Sequence, residues 1–94
     1  MDWKTPPKDF RYVTFERINS ARNEARIYYL GWQPNLFGEQ VLVRGWGRKD
    51  GYRKMLVTPF AGLQEAWPTI RALIKRRVRH HYQIVAPIKY KDGP

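Results

Sequence analysis

The chain has 94 residues, a size for one domain with one core, and carries 18 Lys and Arg against 8 Asp and Glu, a formal charge of +10. It has no cysteine, which excludes disulfides, thiolate catalysis and cysteine zinc sites. With no apolar run of about 18 residues and no charged-then-apolar leader, neither a membrane span nor a signal peptide is expected, and the expectation is a cytoplasmic protein.

A cationic surplus of this size repels itself and concentrates polyanions, so nucleic acid is the leading partner. Residues 1–9 hold Pro6-Pro7 between lysines with no periodic pattern. They read as a flexible N-terminal arm that Trp3 can pin to the body. From Phe10 to Ile18 the aromatic and β-branched residues alternate in part, which predicts a strand; turn formers from Asn19 to Glu24 follow. The second strand, about Arg26 to Gln33, sets Tyr28, Leu30 and Trp32 on a core face and Ile27, Tyr29 and Gly31 on the other. Residues 34–38 break the pattern, and Gln40 to Arg48 makes a third strand. Lys49-Asp50-Gly51 then signals a tight hairpin into a fourth strand from Tyr52 to Thr58.

The period changes from Leu63 to Tyr82. Leu63, Ala66, Trp67, Ile70, Leu73, Ile74 and Val78 follow helical spacing, as for a helix packed on a sheet. Pro68 requires that the regular helix start near Trp67 or bend there. Gln83-Ile84-Val85 is a candidate final strand. The expected fold is α+β: a small antiparallel β-sheet of four or five strands packed against one C-terminal amphipathic helix. It occupies residues 10–85, between the arm and a polar C-terminal tail, residues 86–94.

The third strand carries the densest chemistry. Alternation places Arg44, Trp46 and Arg48 on one face, a guanidinium, an indole and a guanidinium in a row. Such a row suits a sugar or base stacked beside phosphates. Its cationic neighbours favour an exposed Trp46; the alternative is a bulge at Gly45 or Gly47 that rotates the ring into the core. Lys49, Arg53 and Lys54 make the following hairpin basic. Arg71, Lys75 and Arg79 form an i, i+4, i+8 ladder on the helix, with Arg76 further round, which reads equally as a solvated basic face. Arg77 falls inside the apolar stripe and must snorkel out or reach a specific acceptor.

Catalysis and metal binding lack support. His80 and His81 are adjacent, so their rings diverge by about 100° on a helix and do not share a metal. The eight carboxylates are scattered, no strained hydroxyl elbow is present, and no phosphate-binding Gly-rich loop precedes a lysine and a helix. No cofactor, metal or small-molecule substrate is expected.

Trp46-Gly47-Arg48, preceded by Ile27-Tyr28-Tyr29-Leu30, Leu36-Phe37-Gly38-Glu39 and Val41-Leu42-Val43-Arg44, resembles the WGR domain. The likeness runs on through Thr58-Pro59-Phe60 and Leu73-Ile74-Lys75-Arg76-Arg77 to Tyr82, covering about residues 10–84. The family includes a module of DNA-dependent poly(ADP-ribose) polymerases and small stand-alone bacterial proteins, which this chain looks like. The resemblance implies DNA binding at strand breaks and hence a part in DNA repair, with Trp46 against the sugar of a terminal nucleotide and basic residues on the backbone. It also implies that Arg48 is as much a structural or partner residue as a DNA ligand. Asn23 matches an asparagine frequent in bacterial members, and Arg77 stands where the family usually has a helix lysine.

Two departures are visible. Lys49-Asp50-Gly51-Tyr52-Arg53-Lys54 replaces the family's aliphatic and Gly-rich turn, and His81-Tyr82 stands where the helix usually ends in Gly-Tyr. No ADP-ribosyl transferase domain lies within the 94 residues, so the polymerases' catalysis is not carried over. The expected function is a non-enzymatic nucleic-acid-binding module for DNA ends, nicks or single-stranded stretches. Its expected ligands are Trp46, Arg44, Arg48, Lys49, Arg53, Lys54, Asn23, Arg71, Lys75, Arg77 and Arg79. RNA binding, or an adaptor that docks an acidic protein, are the alternatives.

Overall fold

In the computed structural model residues 4–7 and 9–86 are described; the expectations for Trp3 and for the tail after residue 86 lie outside them. The chain forms β1 (Tyr12–Asn19), a 3-10 turn (Ser20–Arg22), β2 (Glu24–Pro34), β3 (Gln40–Arg48), β4 (Arg53–Pro59), α1 (Leu63–Arg79) and β5 (Gln83–Ala86). One antiparallel sheet has the order β4-β3-β2-β1-β5, so the candidate final strand forms and lies beside β1. Four strands make a meander. β5 runs antiparallel to β1, and β4 antiparallel to β3, so β4 and β5 are parallel at opposite edges and α1 recrosses one face of the sheet to join them.

That crossing makes the core. Alternation gives β1 a buried Val13 and Phe15, β2 a buried Tyr28 and Leu30, and β3 a buried Leu42. Ala66, Trp67, Ile70 and Ile74 of α1 close over them, joined by Phe10 and Tyr82. Trp32, Phe60, Leu63 and Leu73 pack at the margin. Among the described residues no helix is long and apolar enough to cross a membrane.

The helix differs from expectation at both ends. It begins at Leu63, ahead of Trp67, and runs unbroken through Pro68. Proline costs the bond its N–H would give to the Gln64 carbonyl, and both residues are exposed, on the side of the helix where solvent can reach. At the other end the helix stops at Arg79. His81 takes the left-handed conformation, φ +68°, and donates its N–H to the Val78 carbonyl, while Tyr82 N–H reaches the Arg77 carbonyl, both at 3.0 Å. This is the closing geometry glycine usually provides, carried here by a histidine.

Two further left-handed positions shape the end of the sheet. Asn23, φ +53°, closes the 3-10 turn by donating its N–H to Ser20 O. Gly47 has φ +152°, and a Cβ there would lie 2.4 Å from the Tyr52 carbonyl oxygen and 2.9 Å from Arg53 Cα. Gly45 is unlike it, because a Cβ would make only ordinary contacts of 3.6 to 3.8 Å. The hairpin itself closes with Gly51 N–H donating to Arg48 O at 3.2 Å.

These geometries predict opposite signs for two substitutions. Gly47→Ala should lower unfolding free energy by about 2 kcal/mol in urea denaturation, with Gly45→Ala nearly neutral as the control. His81→Gly should raise it by about 1 kcal/mol by relieving the left-handed side-chain strain. Equal effects of the two alanine substitutions, or a destabilised His81→Gly, would contradict the assignment.

Candidate nucleic-acid interface

Register decides which side chains meet. β2 and β3 pair Tyr28 with Trp46, Leu30 with Arg44 and Arg26 with Arg48; β4 sets Lys54 beside Trp46. Opposed residues of an antiparallel pair share a face, so Arg44, Trp46 and Arg48 do line up on one side, as expected. That side is the one α1 covers. Trp46 is accordingly half-buried and packs against the core, which corrects the expectation of an exposed indole. The pairing of β3 runs continuously through Gly45 and Gly47, so helix coverage and not a bulge accounts for the burial.

Trp46 belongs to a chain of alternating rings and guanidinium groups. Its ring stacks on Tyr28 with centroids 6.1 Å apart and 19° between planes. Arg44 Cζ lies 5.6 Å from the Trp46 centroid, and Arg44 Nε donates to the Tyr28 hydroxyl at 3.1 Å. Arg77 Cζ sits 4.5 Å from the Tyr28 centroid and 5.2 Å from that of Tyr82, and Arg17 Cζ is 5.1 Å from Tyr82. Arg17 then bonds Glu24 Oε2 at 2.8 Å and the His80 carbonyl at 3.0 Å. Arg77 thus neither snorkels nor finds an anionic acceptor; it lies between two aromatic faces. Its Nε and that of Arg17 are buried without a hydrogen-bond partner. Leaving them so costs solvation free energy, against which the ring contacts of the two guanidinium groups are set.

Arg48 serves the fold. Its Nη1 donates to the Asn23 carbonyl at 3.0 Å, its Nη2 to Asn23 Oδ1 at 3.2 Å, and its Nε lies 3.0 Å from Asp50 Oδ1. The guanidinium fork clamps the β1–β2 turn to the β3–β4 hairpin, and it occupies the side chain of Asn23 as it does so. Lys49 pairs with Glu16 at 2.8 Å, and Arg53 Nη2 donates to the Lys49 carbonyl. Arg53 lies opposite Gly47, so it shares the face away from α1 and is separated by the sheet from Trp46.

On the helix, Arg71 is half-buried, whereas Lys75 and Arg79, with Arg76, are exposed on the side turned from the sheet. Sequence-expected residues therefore fall into three sets: Arg44, Trp46, Lys54 and Arg77 around one stack; Asn23 and Arg48 in the turn clamp; and Lys49, Arg53 and the outer helix ladder elsewhere. Arg17, Tyr28 and Tyr82 take part in the stack and were not expected there. Their signal was register: Tyr28 becomes a site residue once Arg26 is known to face Arg48.

Partial desolvation, and then the charges of Arg77, Arg76, Arg79 and Arg17, hold His80 below the ordinary histidine value. Among the described residues no group of three His, Asp or Glu could hold a metal.

Comparison with known proteins gives one family and one relative. A family model described as WGR domain matches residues 11–88. An uncharacterized protein, y4dW, of Sinorhizobium fredii (strain NBRC 101917 / NGR234) is 34% identical over 68 residues, 72% of this chain and 33% of the relative. The chain therefore spans about a third of that relative's length. No solved structure matches at a significant level.

The clamp can be tested without any ligand. Arg48→Lys keeps the charge but cannot reach both oxygens of Asn23 and Asp50 at once, so amide exchange at Asn23 and Glu24 should accelerate about fivefold, the effect of losing a ~1 kcal/mol hydrogen-bonded unit. Unchanged exchange at those amides would refute the clamp.

Proposed function

We propose that this chain, which belongs to the WGR domain family, is a non-enzymatic module that binds DNA at ends, nicks or single-stranded stretches. The WGR assignment is consistent with nucleic-acid binding. The observation that carries the reading is the cationic stack around Trp46, where a half-buried indole is backed by Tyr28 and flanked by Arg44 and Lys54, with Arg77 against Tyr28. A ring already braced on one side loses little freedom when a sugar or base packs against it, so stacking there is cheap in entropy. Phosphate neutralisation falls to the neighbouring cations, among them Lys54, Arg44 and, if the strand tracks along α1, Arg71, Lys75 and Arg79. Asn23 and Arg48 act in this reading by holding the turn beside the site.

Backbone neutralisation of four to six phosphates gives a slope of log K against log salt of roughly −4 to −5, with little sequence preference. The deciding measurement is a titration of blunt duplex, nicked duplex, closed circle and single strand at two salt concentrations, with a matched RNA oligonucleotide beside the single strand. Tighter binding to ends or nicks than to circle supports the reading; no binding to any of the DNAs ends it, and preference for RNA replaces DNA as ligand. Trp46→Ala should weaken end binding by roughly tenfold or more and circle binding much less. Trp46→Phe keeps a ring on Tyr28 and separates lost stacking from lost fold. Desolvation first, and then nearby arginines, hold the His80 pKa down; a phosphate bound at this end offsets the second cause and should raise the NMR titration midpoint, and a midpoint unmoved by saturating duplex would argue for DNA bound elsewhere.

A further inference from the structure

β4 forms one edge of the sheet, and its backbone polarity follows from the ladder. Phe60 N–H donates to Gln40 O at 3.1 Å and Arg48 N–H to Tyr52 O at 3.4 Å. Bonded and non-bonded pairs alternate in an antiparallel ladder, so Leu42/Thr58, Arg44/Leu56 and Trp46/Lys54 are bonded pairs as well. Arg53, Met55 and Val57 consequently turn their N–H and C=O groups away from β3. Pro59 shares that outward phase, where its missing N–H costs the sheet nothing.

The side chains along this edge are apolar and uncovered. Met55 is 70% exposed, Leu56 44% and Val57 51%, and alternation shows them on both faces. Beside them, on the face away from α1, Ile27, Tyr29, Gly45 and Met55 line a recess of about 210 Å³ rimmed by Arg53 and Lys54. The opposite edge is a poorer template, because β5 has four residues and its register with β1 shifts between Thr14 and Phe15.

Charge decides the occupant. Arg53 and Lys54 stand at one end of the apolar window, and a second copy would bring another +10 against them. The same cations that repel a copy attract carboxylates. We propose that β4 accepts an extended acidic-apolar segment of a partner protein as a sixth strand, with apolar side chains over Met55, Leu56 and Val57 and carboxylates against Arg53 and Lys54. Main-chain bonds to Met55 and Val57 supply affinity, and the recess takes one apolar side chain. Lys54 is shared with the Trp46 stack, but Arg53, Met55, Val57 and the outward backbone groups of β4 are not, so the tests at Arg53 and Val57 do not depend on DNA binding.

The probe is a labelled peptide, Thr-Val-Ile-Val-Thr-Glu-Glu-Asp, titrated into the full chain by fluorescence anisotropy, with a counterpart ending in three lysines. The acidic peptide should bind at least tenfold tighter, and the Met55 and Val57 amides should gain exchange protection. Val57→Pro removes an outward donor and no bond to β3, so it should weaken binding at least tenfold while the circular dichroism spectrum stays unchanged. Arg53→Glu should weaken the acidic peptide and restore the lysine-tailed one. Equal binding by Val57→Pro and wild type would reduce the interaction to diffuse charge attraction and overturn the proposal, as would no binding at all. Concentration-dependent dimers in sedimentation that Val57→Pro abolishes would make the occupant a second copy and overturn the acidic partner.

Discussion

Arg77 is the residue on which the two layers depend. An arginine cannot be neutralised by losing a proton, yet its place in the helix sequence drives it into the stripe that faces the sheet. Tyr28 of β2 and Tyr82 after α1 receive it between their rings, so the charge is met by two aromatic quadrupoles in place of water. Three consequences follow from that one contact. The C-terminus of α1 is fixed against β2; Tyr82, whose N–H completes the cap on the Arg77 carbonyl, is held against the helix; and the Tyr28 ring that stacks with Trp46 is held by the same guanidinium.

The surplus of positive charge is handled in a corresponding way. Ion pairs among the described residues include Arg48 with Asp50 and Lys49 with Glu16, each with at least one side chain largely in solvent, and the part-buried Arg17 with Glu24. Pairs of this kind contribute at most about 1 kcal/mol each and weaken in salt. They act more as fasteners for the two turns than as a source of stability, and the formal charge of +10 stays far from balanced. A polyanion therefore finds a fold whose self-repulsion it relieves, and the relief adds to the binding free energy.

Strands and helix were legible because their signals are local. Val13 and Phe15, Tyr28 and Leu30, and the apolar spacing from Leu63 to Val78 each show their period within a few residues, and the WGR resemblance covers nearly the same span that the family match does. Legibility failed wherever the answer depended on what lies across a gap. Alternation grouped Arg44 with Trp46 and Arg48, but a period of two cannot say which face a helix far along the chain will cover, and so Trp46 was expected in the open. Arg48's partner Asn23 is 25 residues away, and no local pattern announces a fork aimed at a turn. Pro68 misled in the other direction: the local penalty for proline delays or bends a helix, yet Leu63 and Ala66 before it and Trp67 and Ile70 after it pack on one core, and the helix runs through. His81 was noticed as the wrong residue for a helix end; that it would take the glycine conformation anyway depended on Arg77 and Tyr82 needing to meet.

The three motif residues do different work, and the backbone links them. Gly47 lets the Tyr52 carbonyl approach to a distance no Cβ permits, which brings the hairpin close enough for its turn to close on Arg48. With that turn closed, Arg48 has Asp50 beside it and Asn23 before it, and only a planar fork can satisfy both. Trp46, one residue earlier, faces α1 and Tyr28. Glycine and arginine thus build the end of the sheet on which tryptophan is presented. This explains how the hairpin following the motif can change from a Gly-rich turn to the basic run Lys49 to Lys54 without loss of the architecture. Closure depends on backbone groups of Arg48, Gly51 and Tyr52, and the side chains beyond Arg48 are left to set the charge of the surface.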